Sequence, residues 1–418
     1  MPSTGALSDI TILDLTRVLC GPYCTMQLAD MGANVIKIET PKGGDDTRAW
    51  GPFRNDSSVY FASINRNKRS ITLNLKAPEA KELFKKMVRE ADVVIENYRP
   101  GVMDKLGLGY DVLKEINDRL IYAEVSGFGS YGPYSQRPGY DILAQAMGGI
   151  MSITGQPNDP PTRVGNSIGD ILGGLNITIG ILAALHARTL TGKGQKVDVS
   201  LVDTIVSACC TDMMRYLETG KIPERMGNRY APLAPYDSFH AIDGEFIIAC
   251  GNQKLYEDLC NKVLHRPELI TDPRFATVAI RAENHALLKP LIEEWSTTVT
   301  IDEGVAAVMA AGIPAGPIYD ASRVTTDHHI ADVREMYVKQ EHPVIGEMTV
   351  TGNAVKLMDT KPTILPRCWG STMRRSIARC LGWMRPHWRS TRSAVSSDPV
   401  STRRPHPTDM HEKNAAQR

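Results

Sequence analysis

Apolar positions in the first two hundred residues switch between a two-residue period and one of three to four. Residues 10–15 and 34–39 read as strands, with a helix over 22–31 between them. Residues 70–75 form a third strand pattern, followed by a helix opening at Pro78, where a missing N–H is harmless. In that helix Ala80, Leu83, Phe84, Met87, Val88 and Ala91 share one face, and Glu79, Lys81, Glu82, Lys85, Lys86 and Arg89 the other. Residues 92–96 and 120–125 are further strands. This alternation predicts an α/β fold, with a Rossmann-like large domain over 1–222 whose parallel sheet is covered by helices. From 223 to 330 the pattern changes to strands at 236–240 and 245–250 and helices at 253–264, 282–295 and 301–311, a smaller α+β domain. A last strand pattern covers 346–352, and no internal repeat is present.

The longest apolar run, 171–185, is bounded by Asp170 and His186 and interrupted by Asn176. It is too short for a membrane span and predicts a buried helix, so no membrane partner is expected. The 418 residues are 42% hydrophobic and 23% charged, which excludes disordered and collagen-like classes. A net charge of +1 hides a split. Residues 367–418 hold ten Arg and one Lys against two Asp and one Glu, a net +8 that leaves −7 on 1–366. The eight Cys include no C-x-x-C pair and no clustered His, so no metal is expected. Unpaired, buried thiols and an N-terminus without a secretory pattern predict a reducing cytoplasm.

Two motifs imitate nucleotide sites. Gly127-Phe128-Gly129-Ser130-Tyr131-Gly132 matches G-x-G-x-x-G, but Pro133 and Pro138 follow where a phosphate-binding helix should start. The glycines instead predict a close backbone approach. The first strand–helix turn, Leu19-Cys20-Gly21-Pro22, has one Gly and cannot cradle a dinucleotide.

The strongest chemical candidate is Asp170, after Gly165 and Gly169 and at the start of an apolar helix running to about residue 190. A helix N-terminus favours an anion by about 0.3–2 kcal/mol, which would keep a partly buried carboxylate ionised and nucleophilic. Taken alone, the local pattern favours the blander role of an N-cap.

Six segments in order change that weighing: LDLTRVLCGPYCTMQLADMGANVIKIE, NRNKRSITLNLK, ENYRPGVMDKLGLGY, SGFGSYGP, RPGYDILAQAMGG and GD…TGKGQKVDVSL. Through them the chain, from about residue 7 to 357, resembles the class III CoA-transferases, the family of formyl-CoA, carnitine and succinyl-CoA-dependent dicarboxylate transferases. The resemblance implies that Asp170 is the nucleophile of a ping-pong reaction through an aspartyl-CoA thioester. It places coenzyme contacts at Arg17, Val18, Leu73, Asn74, Leu75, Lys76, Asn97, Tyr98, Arg99 and Lys105, with Arg66, Lys68 and Arg69 nearby in sequence. Relatives carry Arg after the IKIE strand; here that position is Thr40, with Lys42 as a substitute cation. Tyr140 would orient the acyl group. Acyl-CoA and a small carboxylic acid are the implied partners, CoA thioester being substrate and no cofactor being permanently bound. The resemblance also implies a homodimer of two interlocked rings, with 331–366 returning to the large domain. Oxyanion donors remain open between Gly148-Gly149 and Gly251-Asn252-Gln253.

The same fold hosts α-methylacyl-CoA racemases, in which a His stands at the position of Tyr140. Tyrosine is a poor base near neutrality, and no His precedes His186. Transfer is therefore the expectation. The glycine run of formyl-CoA transferases is missing around Gly251, which points away from oxalate and toward glutarate, itaconate, mesaconate or citramalate, with Arg48 or Arg163 as cation for the second carboxylate. A nucleic-acid role for the tail finds no groove-reading motif or apolar period to support it. From Arg367 the tail gains Arg, Trp and Ser where the family continues with a Leu-rich, acid-containing ending. Out-of-frame translation of a GC-rich gene is the expectation for 367–418, which otherwise reads as disordered.

Overall fold

The computed structural model describes residues 5–364, so the basic tail at 367–418 lies outside the described residues. The described chain divides into two compact units. The first comprises residues 5–149, Val164–Cys210 and 328–364, and the second Ile150–Arg163 and Thr211–Asp327. These bounds differ from the expected breaks at 222 and 330. A short excursion at 150–163 belongs to the second unit, and the chain leaves the first unit already at Cys210.

In the first unit β1 (Thr11–Asp14) leads through α1 (Cys20–Asp30) to β2 (Asn34–Glu39). Then come β3 (Arg69–Thr72), α2 (Pro78–Val88), β4 (Val93–Glu96) and β5 (Ile121–Ser126). α3 (Asp141–Met147), α4 (Ile168–Thr191), β6 (Lys196–Ser200) and α5 (Leu201–Ala208) follow. The six strands pair in parallel in the order β3-β2-β1-β4-β5-β6. This is the Rossmann order, and its direction reverses between β1 and β4.

α2 forms as its pattern dictates. Pro78 starts it, Glu79 lies in its first turn and Lys85 and Lys86 in its last, each complementing the helix dipole. Ala80, Leu83, Phe84, Met87 and Val88 are buried against Leu13, Ile36, Ile71 and Val94 of the sheet. Burying Phe84 alone contributes roughly 2–3 kcal/mol.

α4 is 24 residues long and, among the described residues, the one helix long and apolar enough to cross a membrane. It packs on α1, β5 and β6, but it is less buried than its composition predicts: Leu175, Ile179 and Leu190 are exposed. Gly173 and Gly174 set its approach to α1. A Cβ on Gly173 would lie 2.9 Å from Cys20 Sγ, and one on Gly174 only 2.7 Å from the Cys20 carbonyl oxygen. No side chain fits there, and the contact brings the start of α4 beside the start of α1.

The second unit holds a three-stranded antiparallel sheet of β7 (Tyr236–Ala241), β8 (Gly244–Ala249) and β9 (Ala315–Pro317), with β8 central. α6 (Gln253–Asp258), α7 (His285–Ser296) and α8 (Ile301–Ala310) are among its helices. Phe239, Phe246, Ile248, Tyr256, Leu288 and Ile292 form its core. The helix expected over 253–264 widens into a π-helical turn at Leu259–Val263. The one expected over 282–295 breaks at Asn284, between Val278–Glu283 and α7.

A hairpin of β10 (Tyr337–His342) and β11 (Gly346–Thr351) completes the first unit, where Ile345, Met348 and Val350 pack on Ala62. Five of the six described cysteines are buried as expected; Cys210 is exposed.

Candidate active site

Ligands of open α/β sheets bind where strand order reverses, outside the carboxyl ends of the strands. Here those ends belong to β1 and β4, and several candidate residues meet there. Asn97 Oδ1 accepts from the Arg17 N–H at 2.9 Å, and Asn97 Nδ2 donates to the Arg17 carbonyl at 2.8 Å. The Arg17 guanidinium lies 5.8 Å from the Tyr98 ring centroid and pairs with Asp46 at 3.2 Å. Glu96, the last residue of β4, fixes this corner from below. Its Oε2 accepts from the Tyr98 N–H at 2.7 Å, and its Oε1 from the Tyr122 hydroxyl at 3.2 Å. Burial pushes the Glu96 carboxyl up to about 8. Glu96 is not among the residues expected from sequence, although an acid ending an otherwise apolar strand, Val93-Val94-Ile95, is a signal for it.

The remaining coenzyme candidates sort by side. Leu73 is buried in the sheet core, and Leu75 is half-buried against it. Asn74, Lys76, Arg99 and Lys105 are exposed, and none of the three cations makes an ion pair with a described residue. Arg66 and Lys68 are not available to phosphate. Arg66 is buried on Asp30 at 2.8 Å and Lys68 on Asp14 at 3.3 Å. Arg48 fails as a substrate cation for the same reason: its Nε and Nη2 each donate to Glu39 at 2.7 Å, and its guanidinium stacks on Phe61. Arg163 is exposed, as are Thr40 and Lys42.

Asp170 is the third residue of α4, and it does not cap the helix. Asp141, the first residue of α3, does so: its Oδ1 accepts from the N–H groups of Gly169 at 2.8 Å and Asp170 at 3.2 Å. Gln145, fully buried one turn later in α3, donates to Asp141 Oδ2 at 2.7 Å and accepts from Val164 N–H at 2.9 Å. The loop before α4 is thus tied down by α3, and the Asp170 carboxylate makes no hydrogen bond or ion pair with a described residue. Cys20 and Tyr60 are near enough to feel its charge, which raises both their pKa values after burial has done so. Tyr140, immediately before α3, is 71% exposed.

The helix dipole was expected to keep Asp170 ionised. Burial and the neighbouring Asp141 charge win instead, pushing its pKa up to about 7. The ionised form is then more basic, and so more nucleophilic, than an ordinary carboxylate, and still well populated near neutrality. If that form is what reacts, kcat/KM rises with pH through an inflection near 7. Asp141→Asn keeps an acceptor for the helix while removing the charge, so the inflection should move to lower pH. A pH–rate profile of both proteins checks this; an unmoved inflection rules out the Asp141 charge as a cause.

Residues 127–140 contain no helix, and Gly127 and Gly139 face each other so closely that a Cβ on Gly127 would sit 2.6 Å from Gly139 Cα. The glycine motif serves the chain's contact with itself. Among the described residues no group of three or more His, Cys, Asp or Glu is arranged to hold a metal ion.

Residues 7–368 match CoA-transferase family III. The chain belongs to that family. It is a CoA-transferase, with a Rossmann-type sheet and a carboxylate freed at the head of α4. The chain is 45% identical to an acetyl-CoA:oxalate CoA-transferase of Acetobacter aceti, over 84% of this chain and 89% of that one. It is 42% identical to a succinyl-CoA:mesaconate CoA-transferase of Haloarcula marismortui, over 86% and 92%. A solved structure of a CaiB/BaiF family protein from Brucella suis superposes with a TM-score of 0.79 at 39% identity, over 90% of this chain and 99% of that one. With an oxalate enzyme among these relatives, the missing glycine run around Gly251 no longer argues against oxalate.

Proposed function

We propose that this family III CoA-transferase moves CoA from succinyl-CoA to a dicarboxylic acid through an aspartyl-CoA thioester on Asp170. One observation carries the assignment: Asp141 caps α4, so the Asp170 carboxylate is spared that task and makes no hydrogen bond or ion pair with a described residue. That carboxylate attacks the thioester carbonyl, forming a mixed anhydride and releasing CoA thiolate. The thiolate attacks the Asp170 carbonyl of the anhydride, giving aspartyl-CoA and the free donor acid. An acceptor carboxylate then reverses both steps and leaves as its CoA thioester. CoA enters as substrate, and the residues named here need no metal or resident cofactor for these steps.

Relatives named for mesaconate, glutarate and D-citramalate support a dicarboxylate acceptor, and the oxalate relative widens the class. Exchange from succinyl-CoA, followed across mesaconate, glutarate, citramalate, itaconate and oxalate, tests the reading. Absence of exchange with every one of them overturns it.

The coenzyme occupies the cleft at Arg17, Asn97 and Tyr98, with Lys76, Arg99 and Lys105 meeting its phosphates. Arg99→Ala or Lys105→Ala should each raise KM for acyl-CoA about 5- to 30-fold with little change in kcat. Added salt should narrow the difference, as screening predicts. Steady-state kinetics at two ionic strengths checks both. The protein works in the cytoplasm as a homodimer. Ile142, Met147, Leu175, Ile179 and Val206, all apolar and exposed on the first unit, support the dimer; sedimentation of a monomer alone would refute it. Racemisation has less support: Tyr140 replaces the required His and points to solvent.

A further inference from the structure

Val18 has φ +69°, the left-handed region that a β-branched residue rarely enters. It lies between Arg17, which faces the proposed coenzyme cleft, and Cys20, which starts α1 beside Asp170. A conformation of this kind persists only where its surroundings impose it. The imposing group is Asp45. Its Oδ1 accepts from the Val18 N–H at 3.2 Å and from the Thr47 N–H and hydroxyl at 3.0 and 2.8 Å. Its Oδ2 is 2.9 Å from Lys37 Nζ, with both side chains 1% exposed. Lys37 Nζ also donates to the Thr16 carbonyl at 2.7 Å. One buried ion pair therefore grips the loop at Thr16 and at Val18.

The grip is itself braced. The Asp45 N–H donates to Glu39 Oε2 at 2.9 Å, and Glu39 is held by Arg48 and by the Ser70 hydroxyl. Asp14, at the end of β1, accepts from the Thr16 N–H at 2.9 Å and pairs with Lys68. Asp14, Lys37, Glu39, Asp45, Lys68 and Ser70 are all buried and engaged with one another. Their shared product is the course of the chain from Thr16 to Cys20.

We propose that Asp45, locked by Lys37, is a positioning residue for CoA transfer: it holds Val18 in its left-handed turn and so sets the loop joining the coenzyme cleft to the nucleophile. The proposal rests on the reading of Asp170 and the switch point given above. It concerns the loop's geometry and no proton or bond.

Glycine enters the left-handed region without a steric penalty. Val18→Gly should therefore remove much of the need for Asp45. In the full-length protein, Asp45→Ala is expected to lower kcat at least tenfold and to raise KM for succinyl-CoA several-fold. Adding Val18→Gly should recover at least threefold in kcat/KM over Asp45→Ala alone. Asp45→Asn, which keeps an oxygen for the Val18 N–H, should lose clearly less than Asp45→Ala, and serves where Asp45→Ala does not fold. Three results overturn the proposal: wild-type kinetics in Asp45→Ala, no gain from Val18→Gly, or equal losses in the Asn and Ala variants. Thermal midpoints of the parent, Asp45→Ala, Val18→Gly and the double variant read the coupling between positions 18 and 45 without reference to catalysis. A coupling that survives while Asp170→Asn remains active would fault the nucleophile reading and leave the positioning by Asp45 intact.

Discussion

Asp170→Asn lowers CoA exchange by roughly a thousandfold or more and yields a protein more stable than its parent above pH 7. The loss follows because a carboxamide of the same shape can form neither the anhydride nor the thioester. The gain follows from the carboxyl's own position. A group whose pKa is raised in the fold, here from 3.8 to about 7, favours the folded state while protonated. That contribution is complete below the ordinary carboxylate range and disappears as pH rises to about 7. At pH 8 the parent holds a charged Asp170 in a site that disfavours charge, a cost of roughly 2–4 kcal/mol once partial solvent screening is allowed for. The asparagine is neutral throughout and escapes it. Exchange rates and denaturant midpoints at pH 5 and pH 8 read both effects: the variant's advantage should be present at pH 8 and small at pH 5. Hydroxylamine added with succinyl-CoA should leave a hydroxamate at Asp170 in the parent and none in the variant. Retained activity, or an unlabelled parent, would remove Asp170 from the chemistry.

That opposition between reactivity and stability was only half legible in the sequence. The sheet was readable because periodicity is local: β2 falls at 34–39 as the pattern has it, and α2 starts at Pro78. Asp170 could be placed near a helix start, but whether it capped the helix depended on Asp141, twenty-nine residues earlier and joined to it only by the fold. The sign of its pKa shift was hidden for the same reason. A helix dipole can be inferred from position, whereas burial and a second carboxylate cannot. Basic residues were hardest. Lys76, Arg66 and Arg48 read alike along the chain, yet Lys76 is exposed while Arg66 and Arg48 are sealed on Asp30 and Glu39. Charge counts do not show which cations are already neutralised. The excursion at 150–163 misled for another reason: Gly155, Pro157, Asn158, Asp159, Pro160 and Pro161 mark a loop, but a loop signal does not show which unit the loop belongs to.

Asp30→Ala should destabilise the protein by about 3–5 kcal/mol, the cost of leaving a buried charge without its partner. Asp30 ends α1 with its side chain out of water and accepts from Arg66 Nε at 3.1 Å and Arg66 Nη2 at 2.8 Å. The Asn67 amide donates to it at 2.8 Å, and that of Asn353 at 3.3 Å. Its own carbonyl accepts from the Thr363 N–H at 2.8 Å, and the Asn67 amide also donates to the Thr363 carbonyl at 2.7 Å. One aspartate thus satisfies a buried arginine and anchors the segment that returns to the large unit near its last described residue. Removing it strands Arg66 and loosens residues 353–363 together, so proteolysis within that segment should rise along with the fall in denaturant midpoint. The pair as a whole need not be stabilising. Two buried ions give up hydration that their attraction only partly replaces, and well-packed apolar substitutes are often neutral or better. Asp30→Ala with Arg66→Met should therefore recover most of the midpoint lost in Asp30→Ala. It should not restore protection at 353–363, because Asn353 still lacks its acceptor. A double variant as unstable as the single one would show that Asp30 acts through the return segment and not through Arg66.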